Sequence, residues 1–187
     1  MLSKQSTELH RLVRKDVRSP DGKVVIRCWT SKAPDKNGDE AAKLYAIRGK
    51  KRLALGELVR SGEVFWRPDS KVAIFNDDQG SNYSEFRLIR VDPTMKDVKR
   101  ALNLVQARWH SEFRSGEIMH DYTTGKGWLN DTDLLVSVYA DGMPRGKEYG
   151  SAIDFCRGYV LDTDTIRIKR EVRREELKKE FGVKVCW

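Results

Sequence analysis

Residues 63–75 read EVFWRPDSKVAIF, in which two short apolar runs flank a group of turn-forming residues. Val, Phe, Trp and Ile are typical of β-strands, and the Pro-Asp pair at 68–69 is typical of a tight turn. The pattern predicts a β-hairpin with strands at 63–66 and 71–75. Because a short turn joins antiparallel strands, this stretch favours a fold built on an antiparallel sheet.

Four further segments have β-branched and aromatic residues bounded by turn-forming residues, and each predicts a strand. They are residues 23–30, 83–91, 133–140 and 152–161. The sequence therefore predicts about six strands, mostly paired antiparallel.

Helical spacing of apolar residues marks three longer segments. It predicts an N-terminal helix at 3–17, a central helix at 95–109 and a charged C-terminal helix at 168–181. Shorter helices are expected at 39–47 and 53–61, and residues 110–130 are expected to form a long connection. The whole predicts a single α+β domain spanning 1–187, with a mostly antiparallel sheet and these N-terminal, central (95–109) and C-terminal helices.

Composition excludes several classes of protein. The 187 residues contain 39% hydrophobic and 34% charged residues, with no apolar run of about 18 residues that could span a membrane. The N-terminus lacks the apolar stretch of a secretory signal. The three cysteines, Cys28, Cys156 and Cys186, predict reduced thiols and a cytoplasmic location, or the host cytoplasm for a viral protein.

The positive charge is concentrated at the two ends of the chain. The net charge is +8 overall, divided as +8 over residues 1–60, −4 over residues 61–165 and +4 over residues 166–187. Clustered Lys and Arg attract polyanions because each neutralised phosphate releases counterions. The alternative interpretation is that these stretches are solvated surface that keeps the protein soluble.

Basic and aromatic residues alternate between positions 27 and 67, where Lys and Arg could contact phosphate and an aromatic ring could stack on an unpaired base. The predicted nucleic-acid-binding residues are Arg27, Arg48, Lys50, Lys51, Arg52, Arg60, Trp66 and Arg67. The predicted 53–61 helix would also direct its N-terminal dipole at a phosphate. Against this, aromatic residues in strands are commonly core residues, and no DNA- or RNA-binding signature is present.

A second cluster contains two histidines and several carboxylates within residues 110–121. Its members His110, Glu112, His120 and Asp121 could bind a divalent metal and activate water. The spacing matches no established metal motif, so decoration of a helix end and a solvated loop is the simpler interpretation. The Asp pairs at 131/133 and 162/164 are equally compatible with ordinary strand ends.

These observations lead to a non-enzymatic accessory protein that binds a polyanion, either nucleic acid or a nucleoprotein complex, with no cofactor, no metal and no membrane partner. One alternative is a structural or assembly subunit of a larger particle, such as a phage or viral component, that self-associates or docks through its terminal helices. The other alternative is a metal-dependent hydrolase or nuclease that uses His110, Glu112, His120 and Asp121.

Overall fold

The computed structural model describes residues 6–10, 15–30, 42–58, 60–80, 82–111, 113–144 and 153–183. Within these ranges the chain forms mostly β-strands, with two helices. One sheet has the order β1 (Ser6–His10), β6 (Ser61–Trp66), β7 (Val72–Asp78), β8 (Tyr83–Arg90), β10 (Phe113–Trp128), β11 (Asp133–Pro144), β12 (Ile153–Asp162) and β13 (Arg167–Arg173), with β9 (Lys96–Asp97) beside β8. The other sheet has the order β2 (Lys15–Arg18), β3 (Val25–Thr30), β4 (Ala42–Arg48) and β5 (Lys51–Leu58).

The chain divides into two compact units. The sandwich unit contains the described residues of Gln5–Ser81 and Arg87–Val98, and the helix-covered unit contains those of Asn82–Phe86 and Lys99–Trp187. The expectation of a single domain stays a prediction, because contacts alone do not define an independently folding domain.

The sandwich unit is built from antiparallel strands of both sheets. Its strands are β1 (Ser6–His10), β2 (Lys15–Arg18), β3 (Val25–Thr30), β4 (Ala42–Arg48), β5 (Lys51–Leu58), β6 (Ser61–Trp66), β7 (Val72–Asp78), the second half of β8 (Tyr83–Arg90) and β9 (Lys96–Asp97). Alternate side chains of each strand point to one face. Ile26 and Leu44 of one sheet and Val64 and Phe75 of the other therefore lie in one shared hydrophobic core.

The helix-covered unit begins with the first residues of β8, which pair in parallel with β10. Its remaining elements are α1 (Lys99–His110), β10 (Phe113–Trp128), β11 (Asp133–Pro144), β12 (Ile153–Asp162), β13 (Arg167–Arg173) and α2 (Arg174–Phe181). Trp109 of α1 stacks on Phe155 of β12 at 5.9 Å between ring centroids. Leu177 of α2 packs beside Gly158, which faces the other side of the same strand. The two helices therefore cover opposite faces of this sheet.

The predicted fold of α+β type with an N-terminal helix is wrong. Residues Ser6–His10 and Lys15–Arg18 are strands, and the first of these pairs with β6. Pairing with a partner far along the chain overrides the local helical spacing on which the prediction depended. The short helices expected at 39–47 and 53–61 are β4 and β5, and the connection expected at 110–130 contains the long strand β10.

The other two helices differ from prediction in extent. The central helix begins at Lys99 rather than at residue 95, because Lys96–Asp97 pair with β8. The C-terminal segment is a strand up to Arg173 and a helix only from Arg174. Val172 of the strand and Leu177 of the helix belong to the same apolar cluster.

All six predicted strands are present with small shifts at their ends. No helix in the described part of the chain is long and apolar enough to cross a membrane. Cys28 is buried and is not disulfide-bonded, as expected for a strand residue of a core, and burial raises the pKa of its thiol. Cys156 is disulfide-bonded, which differs from the expected reduced thiol.

Candidate functional site

The hairpin that joins β4 to β5 places several cations at one end of the sandwich unit. Its loop consists of Gly49 and Lys50, and Arg48 lies directly opposite Lys51. Gly49 has φ = 58°, which suits the first position of a two-residue hairpin loop. The tight turn thus places four cationic residues, Arg48, Lys50, Lys51 and Arg52, around a single loop.

A pocket with a volume of about 780 Å³ lies beside this hairpin, within the sandwich unit. Its cationic and polar lining consists of Arg48, Lys50, Lys51, Arg52 and Thr94, and its apolar lining consists of Leu53, Val91, Pro93 and Met95. The partly buried side chains of Leu53 and Met95 pack against the core of the unit. The site, called the basic pocket below, therefore combines a cationic rim with an apolar floor.

The cations of the basic pocket differ in how they are held. Arg48 donates hydrogen bonds to the Val91 carbonyl at 3.1 Å and to the Asp92 carboxylate at 3.4 Å. The Arg52 guanidinium lies 4.4 Å above the ring centroid of Tyr45. Lys50 and Lys51 are exposed, and in the described residues neither forms an ion pair. Two positions are thus fixed by neighbours, while two ammonium groups face solvent.

A smaller cavity of about 190 Å³ adjoins the basic pocket and shares Arg48 and Val91 with it. Its lining includes Asp21, Asp69 and Asp92, so it has a mixed charge. The lining of the basic pocket contains no carboxylate. Arg48 therefore lies at the boundary between a cavity of mixed charge and a pocket whose charged side chains are all cationic.

The remaining predicted binding residues lie elsewhere in the same unit. Arg27 donates two hydrogen bonds to Asp16, at 2.7 and 2.6 Å. Arg67 is 4% exposed and is bound to Asp69 in the turn before β7. Trp66 packs against the core, and its indole N–H is buried. Arg60 is exposed beyond the far end of β5, about 25 Å or more from the hairpin at the usual rise of a strand.

The structure thus brings together four of the eight predicted residues, Arg48, Lys50, Lys51 and Arg52. The helix dipole predicted at 53–61 is absent, since that segment is β5. The apolar floor was not predicted, because Val91–Met95 is distant in sequence and nothing local connects it to the hairpin. Tyr45 was also missed, because residues 39–47 were expected to be helical and the ring therefore had no defined neighbours.

The histidine cluster is divided by the pleat of β10. His120 Nδ1 lies 2.6 Å from Asp141 Oδ1, whereas Asp121 points to the opposite face and lies 3.7 Å from His110 Nε2. Glu112 lies outside the described residues. The described part of the chain contains no group of three or more His, Cys, Asp and Glu side chains able to hold a metal.

Asp121 and Tyr83 form a partly buried polar group at the edge of the helix-covered unit. Burial raises the pKa of Asp121, and a hydrogen bond from Thr123 and the proximity of His110 only partly offset this effect. Burial, followed by the hydrogen bond to Glu85, raises the pKa of Tyr83 to about 12. The Tyr83 hydroxyl donates a hydrogen bond to Glu85, and the Thr123 hydroxyl donates one to Asp121, so both groups have partners within the sheet.

One member of each acidic pair, Asp133 and Asp162, has a structural explanation. Asp133 and Asp162 lie opposite each other on β11 and β12, and Lys169 Nζ contacts them at 2.7 and 3.2 Å. Burial raises the pKa of Asp133, but hydrogen bonds from Lys169 and Asn130 outweigh burial and leave it below its ordinary value. The two carboxylates therefore serve as the anchor of one lysine.

Comparison of the chain with family models, curated proteins and solved structures finds no match.

Proposed function

We propose that the protein is a non-enzymatic accessory factor that binds a polyanion, either nucleic acid or a nucleoprotein complex, through the basic pocket. The observation that carries this proposal is the lining of that pocket, which contains four cationic side chains and no carboxylate. Lys and Arg side chains clustered in this way are typical of surfaces that bind phosphates.

The hairpin geometry supports a site that is completed by an anion. Arg48 and Lys51 face each other across the two strands, and like charges in directly opposite positions destabilise a sheet. The Asp92 carboxylate at 3.4 Å is half-exposed and compensates only Arg48, with a contribution that solvent screening keeps small. A phosphate bound between the two cations would remove the remaining repulsion, so binding would gain free energy there.

No observation on the described residues favours the alternative of an assembly subunit. Its N-terminal helix is absent, and α2 buries Leu177 within its own unit. The metal-dependent hydrolase alternative likewise stays a prediction, because one of its four residues lies outside the described ranges and the other three lie on two faces of β10 or next to it.

The test is fluorescence-anisotropy binding to short DNA and RNA oligonucleotides between about 50 and 200 mM salt. The wild-type protein is expected to bind with an affinity that falls linearly on a log–log plot against salt. In the double variant Lys50→Gln/Lys51→Gln, loss of two phosphate contacts should reduce the slope for a single strand by about 1.4, at about 0.7 per contact.

The matched control is Lys178→Gln/Lys179→Gln, which removes the same charge from exposed positions of α2. This variant is expected to keep the wild-type slope. Absence of binding at low salt would refute the proposed function. If the slope of log affinity against log salt fell equally in both double variants, binding would depend only on the net charge of the protein. The basic pocket would then not be the binding site.

A further inference from the structure

The basic pocket offers a ligand two chemically different surfaces. Its rim carries four cations, and its floor consists of the apolar side chains Leu53, Val91, Pro93 and Met95. Leu53 and Met95 are partly buried and pack against the core of the sandwich unit. A volume of about 780 Å³ with an apolar lining and a few polar groups is typical of a site that encloses part of a ligand.

The floor is fixed by main-chain hydrogen bonds of the sandwich unit. The Val91 N–H donates a hydrogen bond to the Lys71 carbonyl at 2.9 Å. Directly after Met95, β9 pairs with β8. The fold therefore forms the floor without the help of a ligand, as is usual for binding pockets.

Phosphates alone do not match this site. Moving a charged phosphate out of water onto an apolar surface costs free energy, so phosphates belong at the rim beside Lys50 and Lys51. The floor requires an apolar part of the same ligand. In a nucleic acid this part is the base, whose flat ring makes favourable contacts with a thioether such as that of Met95.

The one ion pair at the rim leaves room for a phosphate. The Asp92 carboxylate contacts Arg48 at 3.4 Å, but Asp92 lines the smaller cavity and not the basic pocket. Lys50 and Lys51 are exposed at the rim. The cationic and apolar parts of the pocket are therefore both open to one ligand.

A duplex cannot offer both parts of a nucleotide to a single pocket. Its bases are paired inside, and the groups that protrude from it are the charged sugar-phosphate backbones. A concave site would receive only backbone from a duplex, which leaves the apolar floor in contact with water. The base of an unpaired nucleotide can turn away from the backbone and enter the pocket.

We infer that the ligand of the basic pocket is an unpaired nucleotide, whose base lies on the apolar floor at Leu53 and Met95 and whose phosphate lies at the cationic rim. This inference rests on the proposed function and adds the part of the nucleic acid that is recognised. The nucleotide can belong to a single strand or be free in solution, because both present the same base and phosphate.

The first experiment compares a single-stranded oligonucleotide with an abasic strand of the same length, which keeps every phosphate and lacks the bases. Both strands should give the same slope of log affinity against log salt, because the slope reports phosphate contacts. The strand with bases should bind more tightly by about 2- to 12-fold, as expected for contact of one ring with a thioether.

Variants at Met95 locate this difference in affinity. Met95→Gln places a polar amide on the floor at a similar side-chain length, and the two strands should then bind about equally. Met95→Leu keeps an apolar floor and should retain most of the difference, which separates contact with the base from folding. Met119→Gln is the matched control in the helix-covered unit, where Met119 is 58% exposed, and it should have no effect.

The methyl resonance of Met95 provides a readout that a loss of stability would not imitate. The chain contains four methionines, and the signal that disappears in Met95→Leu belongs to Met95. The ring current of a bound base should shift this signal with the base-bearing strand, and neither the abasic strand nor a blunt duplex should do so. A shift with adenosine monophosphate would show that a free nucleotide suffices, whereas a shift with the strand alone would show that the nucleotide must belong to a chain.

The outcomes separate this inference from the proposed function. Equal affinity for the two strands, with no shift at Met95 but a reduced slope in the Lys50/Lys51 variant, would overturn the inference and leave the proposed function intact. A shift at Met95 that is as large with the duplex as with the single strand would also overturn it. Failure of every nucleic acid to bind at low salt would overturn the proposed function, and with it this inference.

Discussion

Gly62 in β6 offers a test of the sandwich core in which even the sign of the effect is informative. A Cβ atom added at Gly62 would lie 2.3 Å from Phe75 Cε2 and 2.5 Å from the Asn76 carbonyl oxygen. Phe75 is 1% exposed in the core, and the carbonyl belongs to the backbone of β7, so neither atom can move freely. Gly62→Ala should therefore cost about 1–3 kcal/mol of overpacking.

A second effect of this substitution acts in the opposite direction. The φ of Gly62 is not in the left-handed region. At such a position, alanine restricts the unfolded chain and should by itself stabilise the protein by about 0.4–1 kcal/mol. The overpacking exceeds this gain, so we expect a net destabilisation of about 1–2 kcal/mol.

Urea unfolding followed by circular dichroism measures this difference. With a slope of about 2 kcal/mol per molar urea, the midpoint should fall by about 0.5–1 M and the slope should stay unchanged. Gly22→Ala is the control, since its added Cβ meets nothing within 4 Å and only the positive φ of 72° opposes it. A Gly62→Ala protein that is more stable than wild type would refute the packing of β6 against Phe75.

Two further substitutions test charge interactions. Lys169→Met should lower the melting temperature at pH 7, because Asp133 and Asp162 lose their common partner. The pKa of each carboxylate is lowered, so their contribution is present above the unfolded value of 3.8 and is lost as pH falls through the folded values. The difference in melting temperature between variant and wild type, measured by calorimetry, should therefore narrow below pH 3.8; a constant difference would contradict this assignment. Asp16→Asn should release Arg27, strengthen single-strand binding in the anisotropy assay and steepen the salt slope by about 0.7. An unchanged slope would show that Arg27 does not reach the ligand.

Two of the strands that the sequence prediction missed, β5 and β10, contain a bulge at or beside a glycine. In β5, Leu53 and Leu55 follow the two-residue alternation, and Leu58 is buried as well. The pairing shifts by one residue near Gly56, which has φ = 110°. This bulge returns Leu58 to the inner face and produces a spacing that resembles a helix. In β10, the shift between Gly125 and Gly127 is likewise located at glycines, which in the sequence suggested a loop.

The candidate site could be predicted in part for a different reason. Arg48, Lys50, Lys51 and Arg52 are adjacent in sequence, so their proximity is guaranteed by the chain itself. The apolar floor depends on Met95, which reaches the hairpin only through the folded core. Arg67 was predicted to bind a phosphate, but its charge is neutralised by Asp69 within a turn. Sequence alone does not show that the Arg67 side chain is buried.

The most direct test of the central claim is an NMR titration of the full chain, with assigned amide resonances, by a single-stranded oligonucleotide at low salt. The largest shift changes are expected at residues 48–53 and 91–95, around the basic pocket. Shift changes confined to residues 99–183, with none at the β4–β5 hairpin, would contradict the central claim.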